Sequence, residues 1–162
     1  DMTIHDNFHG AYGCNPERDL GDFVIAKADG TPSYQLAVVV DDADAGVQHV
    51  VRGDDLLDST PRQLLLYKAL GWEDRIPQYW HLPLVVGKDG RRLAKRHGDT
   101  RIAHYRDAGV TCGRLLALLA RWCGVESGDA ISLDELLRCF DITRLPRERI
   151  VFTHEDDAWL SA

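Results

Sequence analysis

The chain has 162 residues, 44 % hydrophobic and 28 % charged, with a net charge of −7. That composition excludes a disordered tail, a fibrous repeat and a low-complexity linker, and no apolar run reaches the roughly 18–20 residues needed to cross a bilayer. The opening residues, Asp1 to Asp6, have neither the basic start nor the apolar centre of a signal peptide, so the sequence predicts a soluble cytoplasmic protein without a membrane partner.

In chain order, Asp22 to Lys27 reads as a strand ending in the turn signal Ala28-Asp29-Gly30-Thr31-Pro32. Tyr34 to Val40 is ambiguous: its valines favour a strand, but the run is too short for periodicity to decide. Gly46 to Arg52 reads as a strand closed by Gly53. Thr60-Pro61-Arg62-Gln63 has the pattern of a capping box with proline at the first helical position, and Gly71 closes the helix behind it. Pro77 to Val86 returns to an extended pattern that Gly87-Lys88-Asp89-Gly90 turns around. From Thr100 onward the pattern is helical. Thr111 caps a leucine-rich run ending at Gly124, Ser132-Leu133-Asp134-Glu135 is a second capping box, and Thr153 to Leu160 forms a short last helix. The composition shift near residue 98 predicts an α/β portion over 1–98 and a small all-helical domain over 99–162.

The acidic average conceals a basic stretch. Between Lys88 and Arg106 lie seven lysines and arginines against Asp89 and Asp99 alone. A glycine-flanked basic loop leaving an extended run suits phosphate, because backbone amides and cationic heads converge on oxygen anions there; a solvated basic loop is the alternative. The spacing is not that of a Walker A loop. Cys14, Cys112, Cys123 and Cys139 form no Cys-x-x-Cys pair, which argues against a disulfide framework or a zinc site within the chain and predicts Cys112, Cys123 and Cys139 to be small hydrophobes on helical faces. His5, Asp6 and His9 read as solvated groups, Asp41-Asp42 as a helix or turn terminus, and His81 as a packing or backbone-bonded residue.

Read as a set, these segments resemble a known family. Gly21 to Ile25, Tyr34 to Asp42, Val51 to Gln63, Tyr79-Trp80-His81-Leu82-Pro83-Leu84 and His104-Tyr105-Arg106-Asp107-Ala108-Gly109 resemble, in collinear order, the glutamyl-tRNA synthetases of the class I aminoacyl-tRNA synthetases. Arg92-Leu93-Ala94-Lys95-Arg96 is similar to the second signature loop of that class, written Lys-Met-Ser-Lys-Ser. Tyr34 to Asp42 is most like the glutamyl-Q tRNA(Asp) synthetases, with Val38 where full-length glutamyl enzymes often carry Asn. The resemblance implies an α/β fold: the second half of a Rossmann-type class I catalytic domain, then a small all-helical domain that contacts the tRNA stem. It also implies an ATP-dependent enzyme, with Mg, that activates glutamate and transfers it to tRNA, through the acceptor stem or the queuosine base of aspartate tRNA.

Site residues follow from the matched motifs. Tyr34 and Arg52 correspond to side chains the family uses for glutamate; an arginine at a strand end can grip a carboxylate with two parallel bonds, while pairing with Asp54 or Asp55 is the structural alternative. Lys95 matches the second lysine of the signature loop, with a catalytic role on the departing phosphates, and Arg92 stands in place of the first. Leu84 and Val85 resemble the segment whose backbone receives adenine, and Asp55 falls near the nucleotide. Ala94 replaces the loop's serine. The first signature, His-x-Gly-His, is absent from these residues, which predicts that the chain alone does not complete adenylation. Two alternatives stand beside this: a non-catalytic synthetase-like module that binds tRNA or protein, and a piece of a discriminating glutamyl-tRNA synthetase.

Overall fold

Alternating inward and outward residues in Met2–Asp6 (β1) bury Ile4 and Asp6 on one face, and the strand turns back through Asn7-Phe8-His9 into Gly10–Cys14 (β2). The Asp6 carboxylate makes the turn itself, its Oδ1 accepting the N–H groups of Phe8 at 2.9 Å and His9 at 2.7 Å. A computed structural model of the chain describes residues 1–93 and 100–162; Ala94, Lys95 and Arg96 of the signature-like loop lie outside the described residues. The chain divides into two compact units, Asp1–Leu82 and Pro83–Ala162.

The first unit is α/β. Tyr34–Asp44 forms a helix (α1), His49–Gly53 a strand (β3), Thr60–Ala69 a second helix (α2) and Gln78–Leu82 a strand (β4). β3, α2 and β4 make a parallel crossover, β4 pairing with β3 from His49↔Gln78 to Gly53↔Leu82. On its other side β4 meets β1, parallel, at Asp6↔Tyr79, giving the sheet order β2-β1-β4-β3. α1 is a helix because Leu36, Val39, Val40 and Ala43 recur at helical spacing and form one apolar stripe. Val39 packs with Leu66 and Tyr67 of α2, flanked by Phe23, Leu36, Ala43 and Trp72. Tertiary burial thus overrides the β-propensity of the valines.

Two local expectations fail in this unit. Asp22 to Lys27 is not a strand: it curls through Gly30 (φ +82°) so that Ser33 donates to the Ile25 carbonyl, with only an isolated bridge between Ala26 and Pro32. Val24 and Ile25 remain exposed, because the sheet is completed elsewhere. Nor does Thr60 cap α2. The 3₁₀ turn Asp54–Ser59 runs directly into the helix, Thr60 is its first residue, and the hydroxyl is buried and used elsewhere.

The second unit is helical apart from one short ladder. Val85–Val86 (β5) pairs parallel with Ile150–Val151 (β6), and the helices are Ile102–Asp107 (α3), Cys112–Trp122 (α4), Leu133–Cys139 (α5) and His154–Ser161 (α6). Thr111 caps α4 by accepting the Arg114 N–H, and Ser132 with Glu135 forms the expected capping box on α5. Thr153 and Asp156 form another on α6. Gly124 ends α4 at φ +71°, where an added Cβ would stand 3.2 Å from the Arg144 carbonyl oxygen. Tyr105, Leu118 and Leu160 form one apolar cluster; Ala120, Val125 and Leu136 form a second. The units part at Leu82 rather than at the composition shift near residue 98. The cause is β5, which hydrogen-bonds to β6 and so ties the residues after Leu82 into the second unit.

Candidate functional site

Among the described residues, the buried polar side chains are Asp6, Ser59, Thr60, Gln63 and His81, all in the first unit. Strand geometry explains two of them. Successive side chains alternate across a sheet, so Tyr79 and His81 of β4 face the same way, as do Ile4 and Asp6 of β1. The two strands are neighbours, and His81 Nδ1 lies 2.7 Å from Asp6 Oδ2, which also accepts the His81 backbone N–H at 3.1 Å. Asp6, completely desolvated, therefore accepts two hydrogen bonds on each oxygen.

Arg52 meets the other side of the imidazole. Its Nε donates to His81 Nε2 at 2.9 Å and its Nη2 donates to Thr60 Oγ1 at 2.9 Å and to the Leu56 carbonyl at 3.4 Å. An arginine nitrogen is always a donor, so His81 Nε2 must be the ring's lone pair and the proton sits on Nδ1, donated to Asp6. Burial pushes the imidazole below its usual range, outweighing the upward pull of its hydrogen bond to Asp6, and the Arg52 charge adds a smaller push the same way as burial. His81 is accordingly neutral in a single tautomer. The Arg52 guanidinium also lies 5.2 Å over the Tyr79 ring, which stacks with His81. Asp54 and Asp55, the alternative partners expected for Arg52, are not where these nitrogens go.

Tyr34 is the first residue of α1 and is exposed. Its neighbour Gln35 donates to Ser59 Oγ at 3.1 Å and accepts from Gln63 at 3.0 Å. Ser59 adjoins Thr60, the partner of Arg52, so the start of α1 lies at the same end of the unit as the end of β3. Asp55 stands exposed on the 3₁₀ turn following β3.

In the second unit, the Leu84 carbonyl accepts the Ile150 N–H at 3.0 Å, Val85 opens β5, and Arg92 is exposed and bridges Val86. Lys95 lies outside the described residues. No group of three or more His, Cys, Asp or Glu side chains among the described residues could hold a metal ion, and no helix there is long and apolar enough to cross a membrane.

The sequence marks Arg52 and Tyr34 as candidates; Asp6, His81 and Thr60, which hydrogen bonds link to Arg52 directly or through one another, are not among its candidates. By local pattern His81 is a packing or backbone-bonded residue, Asp6 a solvated group and Thr60 the start of a capping box. The available signal was the two-residue period: Tyr79 and His81, like Ile4 and Asp6, share a face with a large apolar residue, which marks that face as inward.

Three comparisons bear on what this arrangement belongs to. The family model described as tRNA synthetases class I (E and Q), catalytic domain, matches residues 1–159. The chain is 51 % identical over 142 residues to a glutamyl-Q tRNA(Asp) synthetase of Symbiobacterium thermophilum, covering 87 % of this chain and 43 % of the relative. It is 42 % identical over 161 residues to glutamate–tRNA ligase 1 of Syntrophus aciditrophicus, covering 98 % of this chain and 33 % of that protein. Among solved structures, a glutamate tRNA ligase from Elizabethkingia meningosepticum in complex with its amino acid superposes with a TM-score of 0.80 at 28 % identity, over 98 % of this chain and 35 % of that one. The chain spans between a third and less than half of these relatives.

Proposed function

The chain belongs to the catalytic-domain family of class I tRNA synthetases for glutamate and glutamine, and from that premise we propose that the protein carrying it activates glutamate with ATP and transfers it to tRNA, as a glutamyl-Q tRNA(Asp) synthetase does. The observation that carries the proposal is the Arg52 guanidinium, held at a strand end with Nη1 making no hydrogen bond to the described residues. A fixed cation with donors to spare at the carboxyl end of a parallel strand is suited to a small carboxylate ligand.

In this reading Arg52 receives a glutamate carboxylate and Tyr34 offers its hydroxyl and ring beside it. Leu84 and Val85 provide backbone to adenine, and Asp55 lies near the nucleotide. Attack by the glutamate carboxylate on the α-phosphorus of ATP forms the aminoacyl adenylate and expels pyrophosphate, whose growing charge is met by Lys95 and Arg92. Mg bound with ATP would supply neutralisation of charge on the triphosphate, beside the cationic heads of Arg92 and Lys95. The His-x-Gly-His signature is absent from these 162 residues, so the chain by itself is expected to bind glutamate without completing adenylation. In this reading cytoplasmic tRNA is the acceptor.

The test is performed on the protein at its natural length. Glutamate-dependent ATP–pyrophosphate exchange is expected, followed by transfer of labelled glutamate to aspartate tRNA containing queuosine and not to the same tRNA lacking it. Arg52→Lys retains the charge but loses the planar fork; a charge-assisted bond contributes roughly 1.5–3 kcal/mol, so glutamate affinity should weaken by roughly 10- to 150-fold with ATP affinity intact. No exchange with any amino acid would overturn the proposal, as would an Arg52→Lys protein that binds glutamate as its parent does. The 42 % identity with a glutamate–tRNA ligase favours a second reading: transfer to the terminus of glutamate tRNA, independent of queuosine, would establish it instead.

A further inference from the structure

Arg52 is constrained on more sides than binding a carboxylate requires. Nε and Nη2 form one edge of the planar guanidinium, and this edge grips two acceptors at once, His81 Nε2 and Thr60 Oγ1, each at 2.9 Å. Those acceptors lie 3.2 Å from one another, matching the spacing of the fork. One face of the plane lies over Tyr79. Rotation about the last side-chain bonds is therefore blocked, and Nη1 is the group left without a hydrogen bond among the described residues.

The acceptor on the gripping edge depends on a proton two groups away. Neutral imidazole has one N–H and one lone pair, and the lone pair faces Arg52 only while the proton stays on Nδ1. Asp6 holds it there, itself fixed by the N–H groups of Phe8, His9 and His81. Asp6 and His81 come together from opposite ends of the unit, 75 residues apart. Stability alone would be served as well by apolar residues of similar volume, so the buried polar chain calls for a role.

We propose that Asp6, His81 and Thr60 form a positioning relay that fixes the roll of the Arg52 guanidinium and turns its Nη1 edge toward the carboxylate of the amino-acid substrate. None of the three touches substrate; they act through Arg52. This rests on Arg52 being the glutamate-binding arginine of the proposed function, and the experiment keeps the two apart.

Binding of L-glutamate and of ATP is measured by calorimetry on the natural-length protein and its variants, with unfolding temperature recorded for each. Parent protein that does not bind glutamate sinks the proposed function, and the relay with it. If the parent binds, His81→Leu should weaken glutamate by about tenfold or more, the equivalent of one charge-assisted hydrogen bond, and leave ATP unchanged. His81→Gln puts an amide oxygen close to the Nε2 position and should recover affinity to within about threefold of the parent, because an acceptor for Arg52 is restored. Thr60→Val removes the second acceptor at constant shape and should weaken glutamate by about three- to tenfold; it decides the matter if His81→Leu does not fold. Glutamate affinity within twofold of the parent in Thr60→Val, or in a folded His81→Leu, overturns the relay. So does a parallel loss of glutamate and ATP binding, or a His81→Gln protein no better than His81→Leu.

Discussion

The two units solve the problem of the interior in opposite ways. Among the described residues, the buried side chains of Asp6, Ser59, Thr60, Gln63 and His81 all belong to the first unit, where Asp6, His81 and Thr60 are bonded in a chain and Ser59 and Gln63 are joined through Gln35. In the second unit the buried side chains are Val86, Tyr105, Ala117, Leu118, Ala120, Val125, Leu136, Leu145 and Leu160; its polar bonds are fewer and less buried, Tyr105 donating its hydroxyl to Asp157 at 2.6 Å and the capping boxes standing at the helix starts. A buried polar group costs free energy unless each donor and acceptor is matched. A unit that keeps such a chain of groups holds one side chain in one orientation; a unit whose interior is mostly apolar gains its stability from packing instead.

The sharpest way to break this contrast is at Asp6. Asparagine is nearly isosteric, but all four hydrogen bonds at this carboxylate run inward, so an amide NH₂ would face N–H groups. Asp6→Asn should cost about 3–5 kcal/mol in denaturant unfolding, the scale of breaking a buried charged network by removing one partner. A loss below about 0.5 kcal/mol would show that the first unit does not depend on its polar interior. The counterpart in the second unit is Leu118→Ala, which removes apolar volume from the Tyr105–Leu160 cluster and should cost about 2–5 kcal/mol. Unlike Asp6→Asn, it should leave glutamate binding unchanged; a changed glutamate affinity would refute the division of labour.

The smallest effect separates the units by pH. His81 is held below its usual range in the folded chain, so below about pH 6.5, the ordinary value for histidine, the unfolded chain takes up a proton that the folded one refuses. The first unit should therefore lose stability as pH falls from about 6.5 toward the depressed folded value. In the second unit, Glu135, Asp141 and Glu155 are held below the usual carboxylate range by hydrogen bonds at helix and turn starts. What these acids contribute is lost only as they protonate, below about pH 4.5. Hydrogen exchange corrected for intrinsic rates should show weaker protection in β1 and β4 at pH 5.5 than at pH 7, with α4 unchanged. Equal weakening in both would contradict the assignment.

The same contrast governs how much could be read from sequence. Thr111, Gly124 and the Ser132–Glu135 box act within four residues of themselves, and their helices stand where the pattern put them. In the first unit the strand at His49–Gly53 and the helix closed by Gly71 also stand where the pattern put them, but other local signals misled. Thr60-Pro61-Arg62-Gln63 has the spacing of a capping box, yet the threonine hydroxyl is committed to Arg52 and His81 and the glutamine to Gln35. The valines of α1 resemble a strand until α2 covers their stripe. Arg52 and Tyr34 were visible through their motifs, but the groups that orient Arg52 depend on a pairing between β1 and β4 that no window of sequence contains. The basic loop carries its expectation in charge alone, and Lys95 within it lies outside the described residues.

The strand order has a consequence for how the chain is made. β4 is the last strand of the first unit to be synthesised, yet it occupies an interior place, between β1 and β3. Until Gln78–Leu82 leaves the ribosome, the β1–β2 hairpin and β3 have no strand to join them, and Asp6 has no imidazole to meet. At about 5–20 residues per second, the roughly 25 residues from the end of β3 to β4 take on the order of seconds to add. Through that interval β3, with Val51 among its residues, is an unpaired edge of the kind that recruits other chains. Translation pausing or premature termination just before residue 78 should therefore be the most hazardous moment in the life of this polypeptide, and the arrival of five more residues should end it.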